Sequence, residues 1–207
     1  MKVVVINYGM GNLGSVARAL EECGADVEIA DTPASLAGAE RIVLPGVGAF
    51  PDAIARLKTA QWPDKISEAL GNPGVRLLGI CLGMQLLANK GHEVAETAGL
   101  GLIPGEVVRL VAGEEERIPH VGWNEVRHRG DSSPLLAGIG DGTDFYFVHS
   151  YHFRAERAPD VLAMTPYCGE FVSIVGSGNV YGTQFHPEKS SRAGMQLLKN
   201  FLARPEC

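Results

Sequence analysis

The sequence has little positive charge and no long hydrophobic run. It contains 18 Lys and Arg residues against 24 Asp and Glu, a formal net charge of −6. Nucleic-acid backbones and anionic membranes attract clustered positive charge, so the balance argues against both as the main partner. A membrane-spanning helix needs about 18 consecutive apolar residues, and no such stretch is present. The opening residues have an apolar run of about four, too short for a secretory signal, so we expect a cytoplasmic protein.

Cysteine is also scarce, and its spacing is uninformative for metals. The four cysteines are Cys23, Cys81, Cys168 and Cys207, and no two of them form a CxxC pair. A zinc knuckle or a redox dithiol is therefore not expected, and we predict no metal. So few cysteines are typical of a reducing compartment. A small buried hydrophobic role is the default for each of them, and only Cys81 departs from it below.

Glycine is abundant instead, with 26 residues among 207. That is well above the average of roughly 7%, and it indicates sites built from backbone. Hydrophobic residues make up 45% of the chain, which is typical of a globular protein. The length predicts about one domain, and we assign it to residues 1–207.

The hydrophobic pattern predicts an α/β fold. Short apolar runs alternate with helical spacing over about the first 90 residues, which indicates βαβ units and a mostly parallel central sheet. The predicted strands there are residues 3–6, 27–30, 41–44 and 77–80, and the predicted helices are 12–23, 53–59 and 63–70. Later strands with short links predict antiparallel additions, at 107–111, 145–148, 161–165, 172–176 and 180–185, before a last helix at 193–202.

A GxGxxG pattern follows the first predicted strand. Gly9, Gly11 and Gly14 open a helix, and Asp31 lies about 20 residues further on, which is the context of a dinucleotide-binding fingerprint. The alternatives are a tight strand-to-helix turn and a surface loop whose backbone meets a partner. The pattern alone does not decide among them.

Cys81 stands between two glycines where a predicted strand meets a helix. The sequence from Gly79 to Gly83 has the layout of a nucleophile elbow, with Cys in place of Ser. The turn requires a strained central residue, crowds the positions two residues away, and sets the sulfur at a helix N-terminus that favours the thiolate. A buried structural cysteine is the alternative.

His186 and Glu188 are the predicted base and its orienting group. They lie two residues apart after a strand, so their side chains are expected on one face. A thiolate nucleophile requires such a base, although a capped histidine or a surface ion pair with Lys189 would give the same pattern. His149 is the other base candidate, with a hydrogen-bonded core histidine as the alternative. The run FVHSYHF alternates like one strand, with His149 and Tyr151 predicted on the face opposite Ser150 and His152.

The segment from Pro45 to Gly48 ends the third predicted strand. Its glycines leave a backbone N–H unobstructed, and attack on a carboxamide creates an oxyanion that such an N–H stabilises. The N–H of Leu82, just after the predicted nucleophile, is the natural second donor. Without that context, the sequence PGVG indicates only a turn.

Together, GICLGMQ and FHPEKS resemble the signatures of the class I (triad) glutamine amidotransferases. The resemblance implies a flavodoxin-like three-layer sandwich, no cofactor, and glutamine hydrolysis by Cys81, His186 and Glu188. It also implies that Val47 turns its N–H toward the oxyanion. The residues it places around glutamine are Gly48, Gln85, Glu93, Ser150 and Tyr151.

Five segments are similar to one branch of this family: YGMGNL, LPGVGAF, PHVGWN, FYFVHSYH and FHPEKS. This similarity implies a heterodimer in which ammonia passes through a channel to a cyclase subunit, expected to be a (β/α)8 barrel. It also implies that the GxGxxG loop lies against that subunit, and many relatives have a basic residue at the position of Gly14. The residues expected at the interface are Asn12, Arg18, His120, Trp123 and Lys189. A core position is the alternative for Trp123.

Two other function classes remain open on the sequence. A stand-alone cysteine hydrolase of the same fold would use the same elbow and base. A nucleotide-binding oxidoreductase would use the GxGxxG loop with Asp31.

Overall fold

A computed structural model describes residues 1–113, 116–129 and 133–203. In the first half, the elements are β1 (Lys2–Ile6), α1 (Leu13–Glu22), β2 (Asp26–Ala30), β3 (Arg41–Gly46), α2 (Phe50–Thr59), α3 (Trp62–Leu70), β4 (Arg76–Cys81), α4 (Leu82–Leu86), β5 (Lys90–Gly91) and β6 (Thr97–Ala98). In the second half, they are β7 (Gly105–Arg109), β8 (His120–His128), β9 (Thr143–His149), β10 (Tyr151–Ala155), β11 (Val161–Thr165), β12 (Phe171–Ser177), β13 (Val180–Thr183) and α5 (Ser191–Leu202).

The centre of the sheet is parallel, as the alternating pattern predicts. Neighbouring strands in the order β2-β1-β3-β4-β13 all run parallel, and β13 comes from the far end of the sequence. The carboxyl ends of β3, β4 and β13 therefore meet at one sheet edge, which is where open α/β sheets bind ligands. The register pairs Gly46 of β3 with Cys81 of β4.

Helices cover both faces of this parallel region, which gives three layers. Alternate residues of one strand point to opposite faces, so Val3 and Val5 pack in one core while Val4 and Ile6 pack in the other. The first core includes residues of α1 and α5, and the second includes residues of α2, α3 and α4. The predicted α/β fold with a mixed sheet is confirmed.

The antiparallel part is larger than the sequence indicates. Strands β5, β6 and β8 were not among the predicted strands, and β8 and β9 pair over seven positions from His120–His149 to Val126–Thr143. The prediction of one strand through FVHSYHF was wrong. The chain leaves β9 at His149, bends at Ser150, and enters β10, which pairs with β7 and β12 instead. A half-exposed strand such as β8 has too few apolar residues to give a clear signal.

No helix among the described residues is long and apolar enough to cross a membrane. The same residues contain no cluster of three or more His, Cys, Asp or Glu side chains placed to hold a metal ion. Cys207 lies outside the described residues, and Cys23, Cys81 and Cys168 are free thiols.

Candidate active site

Cys81 adopts the strained backbone that the elbow requires. Its φ of +55° and ψ of −110° lie outside the regions that residues with a side chain normally occupy. Glycine at position 83 is required by space, because a Cβ there would lie 1.7 Å from the Leu44 carbonyl oxygen. A Cβ on Gly79 would meet the Gly83 carbonyl oxygen at 2.6 Å. The turn is thus fixed by its neighbours, and it sets the sulfur at the start of α4.

His186 is buried and already paired with Glu188. The His186 Nδ1 donates a hydrogen bond to Glu188 Oε1 at 2.8 Å, and the Glu188 side chain is only 1% exposed. Ser190 Oγ fixes this segment by donating to the His186 carbonyl at 2.6 Å. Burial lowers the pKa of His186, but Cys81 and Glu188 together outweigh it and raise the pKa to about 9. The Nε2 of His186 is buried and makes no hydrogen bond within the described residues, so it remains available for proton transfer.

The predicted catalytic, oxyanion and glutamine-binding residues come together. A cavity of about 310 Å³ is lined by Val47, Gly48, Cys81, Leu82, Gln85, Glu93, Val148, His149, Ser150, Tyr151 and His186. Its size suits a small molecule. Glu188 lies behind His186 rather than on the wall. A larger groove of about 860 Å³, between the turn at Pro33–Leu36 and α3, contains none of the predicted site residues.

The loop that follows β3 is the exposed part of this cavity. Val47 is 45% exposed, and Gly48 has a φ of +107°, a conformation that favours glycine. Glu93 lies beside this loop, and its Oε2 accepts a hydrogen bond from the Phe50 N–H at 2.7 Å. The buried Tyr8 hydroxyl makes no hydrogen bond within the described residues, and a Cβ on Gly46 would lie 2.5 Å from it. The start of the loop therefore packs closely against buried residues, whereas its outer side is exposed to solvent.

Gln184 is a residue of the site that the sequence reasoning missed. It follows β13, is fully buried, and its Nε2 lies 3.8 Å from Cys81 Sγ. Its Oε1 accepts a hydrogen bond from Gln85 Nε2, which also donates to the Tyr151 carbonyl at 2.8 Å. Its position two residues before His186, on the same strand end, was the available signal.

His149 is not a second base. Its Nδ1 donates to the Tyr151 carbonyl at 2.8 Å, and its Nε2 is 3.0 Å from His120 Nδ1. The first bond fixes the tautomer, so His149 Nε2 accepts from His120. Burial lowers the pKa of His149 to about 3, which keeps the ring neutral. Both ring nitrogens are used, and His149 is a structural part of the cavity wall.

The predicted interface residues divide into exposed side chains and one that is buried. Asn12, Arg18 and Lys189 are exposed, and Trp123 is 52% exposed, so it is not a core tryptophan. His120 corrects the expectation, because only 3% of it is exposed. It begins β8 on the face opposite Val121, stacks on Tyr167 at 3.9 Å between ring centroids, and bonds to His149.

The GxGxxG loop lacks the packing of a dinucleotide site. A Cβ on Gly14 would meet no heavy atom within 4 Å, whereas the third glycine of that fingerprint is required for close helix packing. Asp31 Oδ1 accepts a hydrogen bond from Asn7 Nδ2 at 2.7 Å. Nothing in this geometry favours a nucleotide.

Comparison with known proteins identifies the family. The model of the family described as "Glutamine amidotransferase class-I" matches residues 4–204. A solved structure titled as a glutamine amidotransferase superposes with a TM-score of 0.75 at 20% identity, covering 96% of each chain. PurLQS from Thermotoga maritima superposes with a TM-score of 0.74, also at 20% identity and covering 97% of each chain. The chain belongs to the class-I glutamine amidotransferase family.

Within that family, curated relatives point to one group. The imidazole glycerol phosphate synthase subunit HisH of Moorella thermoacetica is 49% identical over 96% of this chain and 93% of its own. The subunit of the same name from Chromobacterium violaceum is 47% identical over 98% of both chains. The chain therefore groups with these HisH subunits, and it is a glutamine amidotransferase.

Proposed function

We propose that this chain hydrolyses glutamine through Cys81, His186 and Glu188 and supplies the ammonia to a cyclase subunit of imidazole glycerol phosphate synthase. The observation that carries the proposal is one cavity in which a cysteine in an elbow conformation faces a buried, carboxylate-paired histidine. The identity to HisH subunits over nearly the whole chain supports the choice of pathway.

The reaction begins with the sulfur and the imidazole. The thiol proton of Cys81 passes to His186 Nε2, and the thiolate attacks the side-chain carboxamide carbon of glutamine. His186 then gives its proton to the departing nitrogen, so that ammonia leaves and a glutamyl thioester remains on Cys81. His186 Nε2 next accepts a proton from water, and the hydroxide attacks the thioester carbon. The C–S bond then breaks, which releases glutamate and returns the proton from His186 to the Cys81 sulfur. Glu188 holds the ring and stabilises its charged form, which is consistent with the raised pKa of His186.

The remaining cavity residues bind glutamine and its oxyanion. Both N–H groups of Gln85 are used by Tyr151 and Gln184, so Gln85 offers its Oε1 as an acceptor. Glu93 offers a carboxylate to the substrate's ammonium group, while Gly48, Ser150 and Tyr151 form the adjoining wall. The backbone N–H groups of Val47 and Leu82 are the proposed oxyanion donors, which are worth roughly 3–4 kcal/mol each in measured enzymes.

A partner surface surrounds the mouth of the cavity. Val47 and Val148 line the cavity and are exposed, and Val148 pairs with the exposed Val121. Trp123 continues this apolar strip on the same face of β8. Exposed apolar groups with a large aromatic suit a protein interface, and we place the cyclase there in a heterodimer. Ammonia would then pass into the partner without entering water. We place the complex in the cytoplasm, where the free thiols remain reduced.

Steady-state glutamine hydrolysis, measured with the cyclase and its bound substrate, tests the proposal. The Cys81→Ala variant is expected to lose all measurable glutamate release, since it removes the sulfur that forms the thioester. Cys23→Ala, a half-buried free cysteine away from the cavity, is the matched control and should retain it. Undiminished activity in Cys81→Ala would sink the proposal.

The alternatives from the sequence have separate tests. A stand-alone hydrolase would not elute with the cyclase on a sizing column, whereas the proposed subunit forms a complex. An oxidoreductase would bind a nicotinamide cofactor in a titration, and we expect no binding.

A further inference from the structure

The amide of Gln184 is buried beside the Cys81 sulfur and is not among the residues that line the cavity. Gln184 is fully buried, and its backbone N–H is fixed to the Ser173 carbonyl at 2.9 Å. A buried amide is costly unless its polar atoms have partners, so its placement next to Cys81 requires an explanation.

The orientation of that amide follows from its neighbour. Gln85 Nε2 donates one hydrogen to the Tyr151 carbonyl at 2.8 Å and the other to Gln184 Oε1 at 3.0 Å. Because the oxygen of Gln184 is the acceptor in this pair, its nitrogen is the atom toward the sulfur. The Gln184 Nε2 to Cys81 Sγ distance is 3.8 Å. A donor thus points at the sulfur and cannot flip without breaking the bond to Gln85.

The sulfur has a different partner in each protonation state. As a thiol, Cys81 donates to the Val148 carbonyl at 3.7 Å. After its proton passes to His186 Nε2, the sulfur has no hydrogen to donate and becomes an acceptor. A hydrogen bond to the charged form of a group favours that form.

We propose that Gln184 is a further catalytic residue, which stabilises the Cys81 thiolate by donating a hydrogen bond to the sulfur. The inference rests on the proposed role of Cys81 as nucleophile and adds to it a group outside the triad. Under this proposal Gln85 has a second role besides glutamine binding, because its hydrogen bond fixes the orientation of the Gln184 amide.

Other titratable groups surround the Cys81 sulfur on the elements packed around it. Tyr8 after β1 and His186 after β13 interact with Cys81 itself, Glu188 interacts with His186, and Glu93 after β5 and His149 at the end of β9 line the same cavity. Substitutions at Gln184 leave all of these side chains in place. A change in the pH profile of Cys81 can therefore be assigned to the amide.

The test is the pH profile of Cys81 alkylation by iodoacetamide in the isolated full-length chain. The thiolate attacks the iodoacetamide carbon, a C–S bond forms, and iodide leaves, so the rate follows the thiolate fraction. Mass spectrometry of the Cys81 peptide separates this thiol from the other three. Gln184→Met removes the donor at similar length, and Gln184→Glu also adds a negative charge. Gln61→Glu adds the same charge at an exposed position as the matched control.

Both Gln184 variants should raise the midpoint by about one pH unit or more, and slow alkylation at pH 7 about tenfold, with the larger effect in Gln184→Glu. Gln61→Glu should match the unmodified chain. Midpoints unchanged in both folded variants would overturn the proposal. If neither variant folds, the side-chain amide resonance of Gln184 in the unmodified chain decides, because it should titrate with the same midpoint as alkylation and a resonance that does not titrate overturns the inference. Glutamine hydrolysis by the unmodified complex tests the proposed function separately.

Discussion

The two sides of the active-site cavity are built differently. On the inner side, Cys81 and the His186–Glu188 pair are buried and held by neighbouring backbone and side chains. On the outer side, Val47 is 45% exposed and the loop around it is bordered by exposed apolar residues. The inner side is complete within this chain, whereas the outer side faces the proposed partner. Under the proposed function, the fold of this chain alone organises the nucleophile, whereas the oxyanion site depends on the complex.

The physical reason lies in what each side must do. Charged groups and strained backbone persist only where the surroundings over-determine them, which burial provides. An N–H that must respond to a bound partner needs freedom to turn, which an exposed glycine loop provides. Substitutions on one side at a time separate the two contributions.

The largest effect is expected from Glu188→Gln on the inner side. Losing the carboxylate removes a group that raises the pKa of His186 and stabilises its charged form. We expect kcat for glutamine hydrolysis in the complex to fall by about a thousandfold, with a much smaller change in KM. Steady-state kinetics check this, and a loss of less than tenfold would contradict it.

Glu188→Gln should also change how the free energy of unfolding depends on pH. The pKa of His186 is about 9 in the folded chain against 6.5 for a free imidazole, so the folded state holds the proton more tightly. The stabilisation is full below about pH 6.5 and is lost as the pH rises through about 9. In Glu188→Gln that window should narrow, because the folded pKa falls. Urea unfolding across this pH range measures it, and an unchanged window would argue against the ion pair.

Gly83→Ala tests whether the backbone around Cys81 is too tightly packed to accept a side chain at position 83. The added Cβ would lie 1.7 Å from the Leu44 carbonyl oxygen, and backbone cannot move aside cheaply. We expect the free energy of unfolding to fall by about 3 kcal/mol, together with loss of activity. Gly14→Ala is the control, because Gly14 lies in α1 and a Cβ there would meet no heavy atom within 4 Å. This substitution should raise the free energy of unfolding by about 0.5–1 kcal/mol. Equal effects of the two substitutions would contradict the account.

Val47→Pro removes the backbone N–H of Val47, a proposed oxyanion donor, and leaves the buried side of the cavity unchanged. Partner-activated hydrolysis should fall by about a hundredfold, as expected for the loss of one oxyanion donor. Alkylation of Cys81 should be unchanged, because the inner side is intact. Val47→Ala keeps the N–H and should hydrolyse glutamine at close to the unmodified rate. Similar losses in both variants would show that the side chain matters instead.

The smallest effects are expected from two substitutions on β8, one of an exposed side chain and one of a buried side chain. Trp123→Ala should weaken binding to the cyclase by about 2 kcal/mol and change the free energy of unfolding by less than about 0.5 kcal/mol. His120→Ala should instead lower the free energy of unfolding by about 1–3 kcal/mol, because it leaves His149 Nε2 buried without a donor. Isothermal titration and urea unfolding measure the two quantities, and the reverse pattern would contradict the assignment.

The sequence predicts the inner side well and the outer side less well. The elbow, the His186–Glu188 pair and the parallel strands depend on local patterns, in which glycine spacing and alternation carry the geometry. The burial of His120 and the break at Ser150 depend on how β8 and β9 pair across the molecule, which no local pattern records. Gln184 was missed because a glutamine inside a strand end has no motif of its own. Its role emerges only from its distance to Cys81.

We infer that Cys81 is fully reactive in the isolated chain, whereas the backbone N–H groups that stabilise the oxyanion are positioned only in the complex. The most direct test measures Cys81 alkylation and glutamine hydrolysis, each in the isolated chain and in the complex with substrate-bound cyclase. We predict that alkylation at a fixed pH changes by less than about threefold, while hydrolysis rises by about a hundredfold or more, the value of an oxyanion donor. Full hydrolysis rates from the isolated chain would contradict the claim.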